Sequence, residues 1–192
     1  MCAIGGKVDD HNYLASVECL SQGAAAWVEV ASLNTARYNH GAAAVGDVIF
    51  VVGGSNYGAG SSVEALDLSV DGGRWEAKAP MPTARMQLAV AASGTKLFAV
   101  GGRDDGNRPW LDTLEIYESA TDSWSAAAPM PTARMDLAAA IVGNTLFALG
   151  GEGEDGYPCD VVEAYDIEGG SWSAAEPMGT GRSGFAAVVA GP

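Results

Sequence analysis

Short apolar runs alternate with turn residues along the whole chain, and no segment carries the three-to-four-residue spacing of a helix face. Between Met135 and Trp172 the pattern predicts four strands, here called a to d. Strand a spans Met135 to Val142 and strand b Thr145 to Leu149, and Gly143-Asn144 between them is a tight-hairpin sequence. Strand c spans Asp160 to Ile167, and strand d starts near Trp172. Pro-Met-Pro at Pro80 to Pro82 and at Pro129 to Pro131 marks a break from the ladder between d and the next a.

The pattern is periodic. Trp124 to Gly151 reads WSAAAPMPTARMDLAAAIVGNTLFALGG, Trp75 to Gly102 reads WEAKAPMPTARMQLAVAASGTKLFAVGG, and Trp27 to Gly54 is a looser copy. A fourth copy opens at Trp172. Gly pairs start at Gly5, Gly53, Gly101 and Gly150, and Arg37, Arg85, Arg134 and Arg182 each follow their Trp by 10 residues. Strand c recurs at Leu14 to Leu20, Ser62 to Leu68 and Leu111 to Tyr117, with Glu18, Glu64, Glu115 and Glu163 at one phase. Four antiparallel strands repeated at this period make a β-propeller blade. The Gly pair ending strand b, the Leu or Tyr in strand c (Leu20, Leu66, Tyr117, Tyr165) and the Trp opening strand d resemble the kelch repeat.

The expected fold is therefore all-β, a propeller of four kelch-type four-stranded blades. Pro192 falls at the repeat position of Asn144 and Met1 at that of Leu146, so the two ends are nearly in phase. That register predicts a ring closed by pairing the C-terminal strand a, Arg182 to Ala190, with the N-terminal strands b, c and d. The blades are then 1–30 plus 182–192, 37–78, 85–127 and 134–176 within a single domain. Small residues such as Gly41 to Ala44 and Ala138 to Ala140 suit an innermost strand a in so small a ring. A monomer is expected, with a two-chain ring as the alternative.

A net charge of −14 argues against nucleic-acid binding, and no apolar run is long enough for a membrane helix. The start, MCAIGGKVDDHNY, does not read as a secretion leader, so a cytoplasmic location is expected. Cys2, Cys19 and Cys159 are odd in number and lack metal spacing, so neither a disulfide framework nor a metal site is expected.

Alternation of strand direction puts the d–a and b–c connections on one face. The b–c loops differ between blades: Lys7 to Tyr13, Ser55 to Ser61, Arg103 to Trp110 and Glu152 to Pro158. A constant frame with varied loops suits a recognition surface. Its candidate contacts are His11, Tyr13, Asn56, Tyr57, Arg103, Arg108, Trp110 and Tyr157, because aromatics and Arg anchor interfaces. The kelch resemblance implies that Arg37, Arg85, Arg134 and Arg182 could face an acidic peptide at the d–a step. The competing reading pairs them with the strand-c glutamates. His40, Gln87, Asp136 and Phe185, close after each Arg, vary and could tune an axial pocket.

No GxSxG, HExxH or P-loop occurs, and two histidines cannot build a multi-His centre, so no cofactor is expected. The expected function is a protein-interaction module for a peptide or partner domain, acidic if the arginines bind it. The alternatives are a kelch-type enzyme, such as a sugar-acid isomerase or lyase, and a structural or engineered ring without a ligand.

Overall fold

The computed structural model describes residues 1–106 and 110–190, which hold fifteen β-strands and no helix. Blade 1 contains β1 (Cys2–Ile4), β2 (Val17–Cys19) and β3 (Val28–Val30). Blade 2 contains β4 (Gly41–Val45), β5 (Val48–Val52), β6 (Val63–Asp67) and β7 (Glu76–Lys78). Blade 3 contains β8 (Ala89–Ser93), β9 (Lys96–Val100), β10 (Leu114–Glu118) and β11 (Ser123–Ala126). Blade 4 contains β12 (Ala138–Val142), β13 (Thr145–Leu149), β14 (Val162–Asp166) and β15 (Ser171–Ala174). Every pairing is antiparallel between sequence neighbours, the order expected of blades.

The second strands of blades 2 and 3 are apolar at nearly every position because both their faces are covered. In blade 2, Phe50 and Val52 point forward into a core shared with Leu97, Ala99 and Tyr117 of blade 3. Ile49 and Val51, of the other parity, point back into a core shared with Val17 and Leu33 of blade 1. Phe98 and Val100 of blade 3 likewise meet Leu146, Ala148 and Tyr165 of blade 4. There is thus no core inside a blade. The cores lie between blades, and each is built from one face of two sheets.

The first strands are innermost: β4 lies against β8, and β8 against β12. Their approach explains the small residues. A Cβ on Gly41 would stand 2.2 Å from Val90 Cγ2, so a side chain there has no room.

Strand a is shorter than the pattern predicts, because β12 begins at Ala138 rather than Met135. Met135 instead bridges to Glu152, and Asp136 takes a φ of 50°, which bends the chain out of the ladder. The expected pairing of residues 182–190 with β1 is not seen among the described residues. Blade 1 has three strands, and residues 182–190 form none. Trp27, expected as an inter-blade wedge, is 46% exposed, whereas Trp75 is 4% exposed in its joint.

Cys2 and Cys19 form a disulfide, against the expectation from cysteine number. They face each other across β1 and β2, where blade 2 has the pair Phe50–Ala65 and blade 3 the pair Phe98–Ile116. The bridge thus fills a site that elsewhere holds a ring, in the thinnest sheet of the molecule. Alkylation of the unfolded but unreduced chain is expected to label Cys159 alone of the three cysteines. Closing a loop of 17 residues contributes about 3 kcal/mol, so reductant should lower the melting temperature; labelling of all three thiols without reductant would remove the bridge.

Candidate functional site

The repeated arginines are placed by the Gly pairs. Gly102 N–H donates to the carbonyl of Arg134 at 2.8 Å, as Gly6 does to Arg37, Gly54 to Arg85 and Gly151 to Arg182. The approach is so close that a Cβ on Gly101 would lie 2.6 Å from the Arg134 oxygen, and φ there is +59°. Only glycine allows both. Beside the Gly53 and Gly101 pairs sits a methionine from a Pro-Met-Pro connection, Met81 and Met130, both 2% exposed, and Met178 takes the same place beside Gly150. The pattern suggested only a strand break there, yet the repetition of Met between the prolines was a readable packing signal.

With its carbonyl held by one blade, each Arg sends its side chain into the next. Arg85 Nη2 donates to Glu115 Oε2 at 2.8 Å and Arg134 Nη2 to Glu163 Oε2 at 2.7 Å, while Arg37 pairs with Glu64. The Arg85 Nη1 also donates to the carbonyls of Gly101 and Thr113, at 3.2 and 2.9 Å. Arg134 repeats this with Gly150 and Val161. Burial pulls the Arg85 guanidinium down to about 10, partly offset by Glu115, so it stays charged at neutral pH. The glutamates are braced too: Thr83 Oγ1 donates to Glu115 and Thr132 Oγ1 to Glu163.

Arg37, Arg85 and Arg134 are 3%, 0% and 0% exposed, with their guanidiniums taken up by Glu64, Glu115 and Glu163. That corrects the expectation of a guanidinium ring facing an acidic peptide: they are spent on the joints. Arg182 differs, being exposed, with its guanidinium 5.9 Å from the Phe185 ring.

The d–a and b–c connections do share a face. Tyr38 bridges to Ser55, Met86 to Arg103 and Met135 to Glu152. At the axis, the turns after each Arg form a ladder: Gln87 N–H donates to Asn39 O, Asp136 N–H to Gln87 O, and Gly184 N–H to Asp136 O, at 2.8 to 2.9 Å. The proposed axial set falls into two registers. Gln87 and Asp136 occupy the positive-φ position shared with Asn39 and Gly184, whereas His40 and Phe185 lie one residue further on, with Leu88 and Leu137. Together they line a shallow cavity of about 210 Å³. Gln87 Nε2 donates to Asp136 Oδ2 at 2.5 Å, and burial raises the Asp136 carboxyl above its ordinary range. Larger cavities of about 450 and 460 Å³ flank the Val70 to Gly73 turn on the other side of blade 2, away from the variable loops.

Among the loop candidates, Tyr13 and Tyr57 come together with Tyr38. Tyr13 stacks on Tyr38 with ring centres 4.7 Å apart and meets Tyr57 edge-on at 5.4 Å. Tyr57 is 83% exposed and has a φ of 68°, a strained backbone for a bulky residue. Lys7 Nζ lies over the Tyr38 ring and pairs with Asp10. Tyr38 was not among the expected contacts; its place directly after Arg37 was the only available signal. His11 and Asn56 are exposed beside this cluster in the same two loops. Arg103 and Trp110 bridge to each other and are half-buried, Tyr157 is exposed in blade 4, and Arg108 lies outside the described residues. Ala59 N–H donates to Asp105 at 2.6 Å, which ties the loops of blades 2 and 3.

Two measurements probe this construction. Arg134→Ala leaves the Glu163 carboxylate buried without its cation and is expected to cost about 3–5 kcal/mol. The double change Arg134→Met with Glu163→Leu should cost clearly less, and equal losses in denaturant melts would sink the ion-pair account. Burial, reinforced by Arg37, holds the His40 imidazole down at about 4, against an ordinary 6.5. The fold therefore favours the neutral ring: its contribution is whole above about pH 6.5 and is lost as pH falls towards 4. The loss is on the order of 3 kcal/mol. His40→Leu, copying Leu88 and Leu137, should flatten that slope; an unchanged pH dependence would contradict it.

Residues 1–191 match the family model for the KLHDC2/KLHL20/DRC7 Kelch-repeats domain. No curated protein matches the chain. The Gly pairs, the Trp in strand d and the four-stranded blades they organise agree with that match over nearly the full length, and the chain belongs to the kelch-repeat family.

Proposed function

We propose that the chain is a protein-interaction module, and that its ligand is a peptide or partner domain seated on the face of the b–c and d–a loops. The observation that carries this reading is the Tyr13, Tyr38 and Tyr57 cluster at the seam of blades 1 and 2. Three rings from three connections converge there, and the outermost is held exposed on a strained backbone. Exposed tyrosines of limited freedom supply contact area at low entropic cost. The adjoining cavity of about 290 Å³ is lined by residues 53–60 together with Thr35, Arg37 and Ser62.

With three guanidiniums buried in joints, the reading rests on aromatic packing rather than on an acidic ligand. The shallow axial cavity supports interaction over catalysis: it is lined by amide, imidazole and apolar side chains around a single carboxylate, Asp136. A peptide-display library selected on the intact chain provides the test. Selected peptides should lose about tenfold or more of their affinity with Tyr57→Ala, at an unchanged melting temperature. Equal affinity for that variant, or no selectable binder, would defeat the reading.

A further inference from the structure

The seam between blades 1 and 2 lacks the two rings that pack the other two seams. Between blades 2 and 3, Phe50 meets Tyr117 edge-on with ring centres 5.6 Å apart. Between blades 3 and 4, Phe98 and Tyr165 share one core. At the same repeat positions the first seam has Cys2, bonded to Cys19, and Leu66. A disulfide and an isobutyl group fill less space than two rings. Here lies the cavity of about 460 Å³ beside the Val70 to Gly73 turn, within the usual size of small-molecule sites.

The turn widens it. Trp75 follows Glu64 by 11 residues, whereas Trp124 follows Glu115 by 9. Blade 3 keeps Tyr117 and Trp124 paired in its ladder, but β6 and β7 pair no further than Ala65 and Glu76. The rim is apolar where the other blades are polar. Val28, 61% exposed, stands where blades 2 and 3 have Glu76 and Ser125, and Leu68 and Val70 are exposed beside it.

The second seam shows what the polar end of a ring meets in such a place. Tyr117 O–H donates to Asp122 Oδ1 at 2.7 Å, and the same oxygen takes the Ala79 N–H at 2.7 Å. The counterparts of Asp122 and Ala79, counted from Trp75 and Trp27, are Gly73 and Ala31. Both line the cavity, and the Ala31 N–H makes no hydrogen bond among the described residues. Glu29, Asp67 and Asp71 also line it, with no Lys or Arg. Three carboxylates disfavour an anion, whereas a neutral hydroxyl can accept from the amide and donate to a carboxylate.

We propose that this seam binds a small neutral phenol, its ring on Val28, Leu66 and Val70 and its hydroxyl between the Ala31 amide and the acidic rim. The cavity lies on the side of blade 2 away from the variable loops, so phenol binding and peptide binding are separable. Burial of the ring supplies the affinity. The hydroxyl supplies the selection, because an analogue without it leaves the amide unpaired.

The test is titration of the isotope-labelled chain, followed by amide NMR, with para-cresol and with toluene as the same ring without the hydroxyl. Saturable shifts are expected at Ala31, at Gly73 and along β3, with a dissociation constant on the order of a millimolar and toluene about tenfold weaker. Leu66→Tyr, which places the ring of blades 3 and 4 in the cavity, should abolish those shifts. Val28→Glu, at an exposed position and copying Glu76, should weaken binding without relying on a buried substitution. No saturable shift, shifts centred on the other seams, equal affinity for toluene, or cresol binding unchanged by either variant would each overturn the inference.

Discussion

The guanidinium of each buried Arg reaches from one blade into the next while its own carbonyl stays hydrogen-bonded to the Gly pair behind it. Burying both charges costs several kcal/mol per ion, and the attraction of a single pair does not ensure a gain. What compensates here is the density of donors and acceptors: the carbonyls of Ala99, Gly101 and Thr113 and the Met81 sulfur take the remaining Arg85 protons, and a Thr hydroxyl serves the second Glu115 oxygen. Such a pair discriminates strongly against misalignment, because a shift of one residue leaves a buried charge alone. The joint therefore fixes the register of each blade on the next, and the apolar cores fill in around it.

Several sequence features that look separate are parts of that joint. The Gly pair admits the Arg carbonyl, the connection Met covers the pair, and the Trp of the next blade caps the preceding connection with its indole N–H. Because these buried parts fix the register of the blades, the tips of the b–c loops are free to differ. Their variation is then available for recognition, and the tyrosine cluster arises where two loops and one d–a turn meet.

The fold was legible because its signals are local and repeated. Apolar runs on both faces of strand b, a hairpin at Gly143-Asn144 and a Trp on a fixed beat each specify the same blade, and agreement among four copies removes the ambiguity of any one. The candidate site was legible only in part. Loop composition pointed to Tyr13 and Tyr57, but the stacking of Tyr13 on Tyr38 joins residues distant in sequence through two connections, and no spacing encodes it. The arginines show the opposite difficulty. Their repetition suits a ligand ring or a set of ion pairs equally, and only burial distinguishes them.

By itself the sequence determined the strand count per repeat, the order of pairing within a blade and the residues that must be Gly, Arg, Glu and Trp, since these depend on steric limits and periodicity that act over a few residues. Tertiary structure decided that Arg37, Arg85 and Arg134 are buried in ion pairs between sheets, that Cys2 and Cys19 are bonded across β1 and β2, and that Tyr13 stacks on Tyr38. The physical reason is that each of these depends on which faces and connections meet in space, and packing between residues far apart in the chain leaves no periodic trace along it.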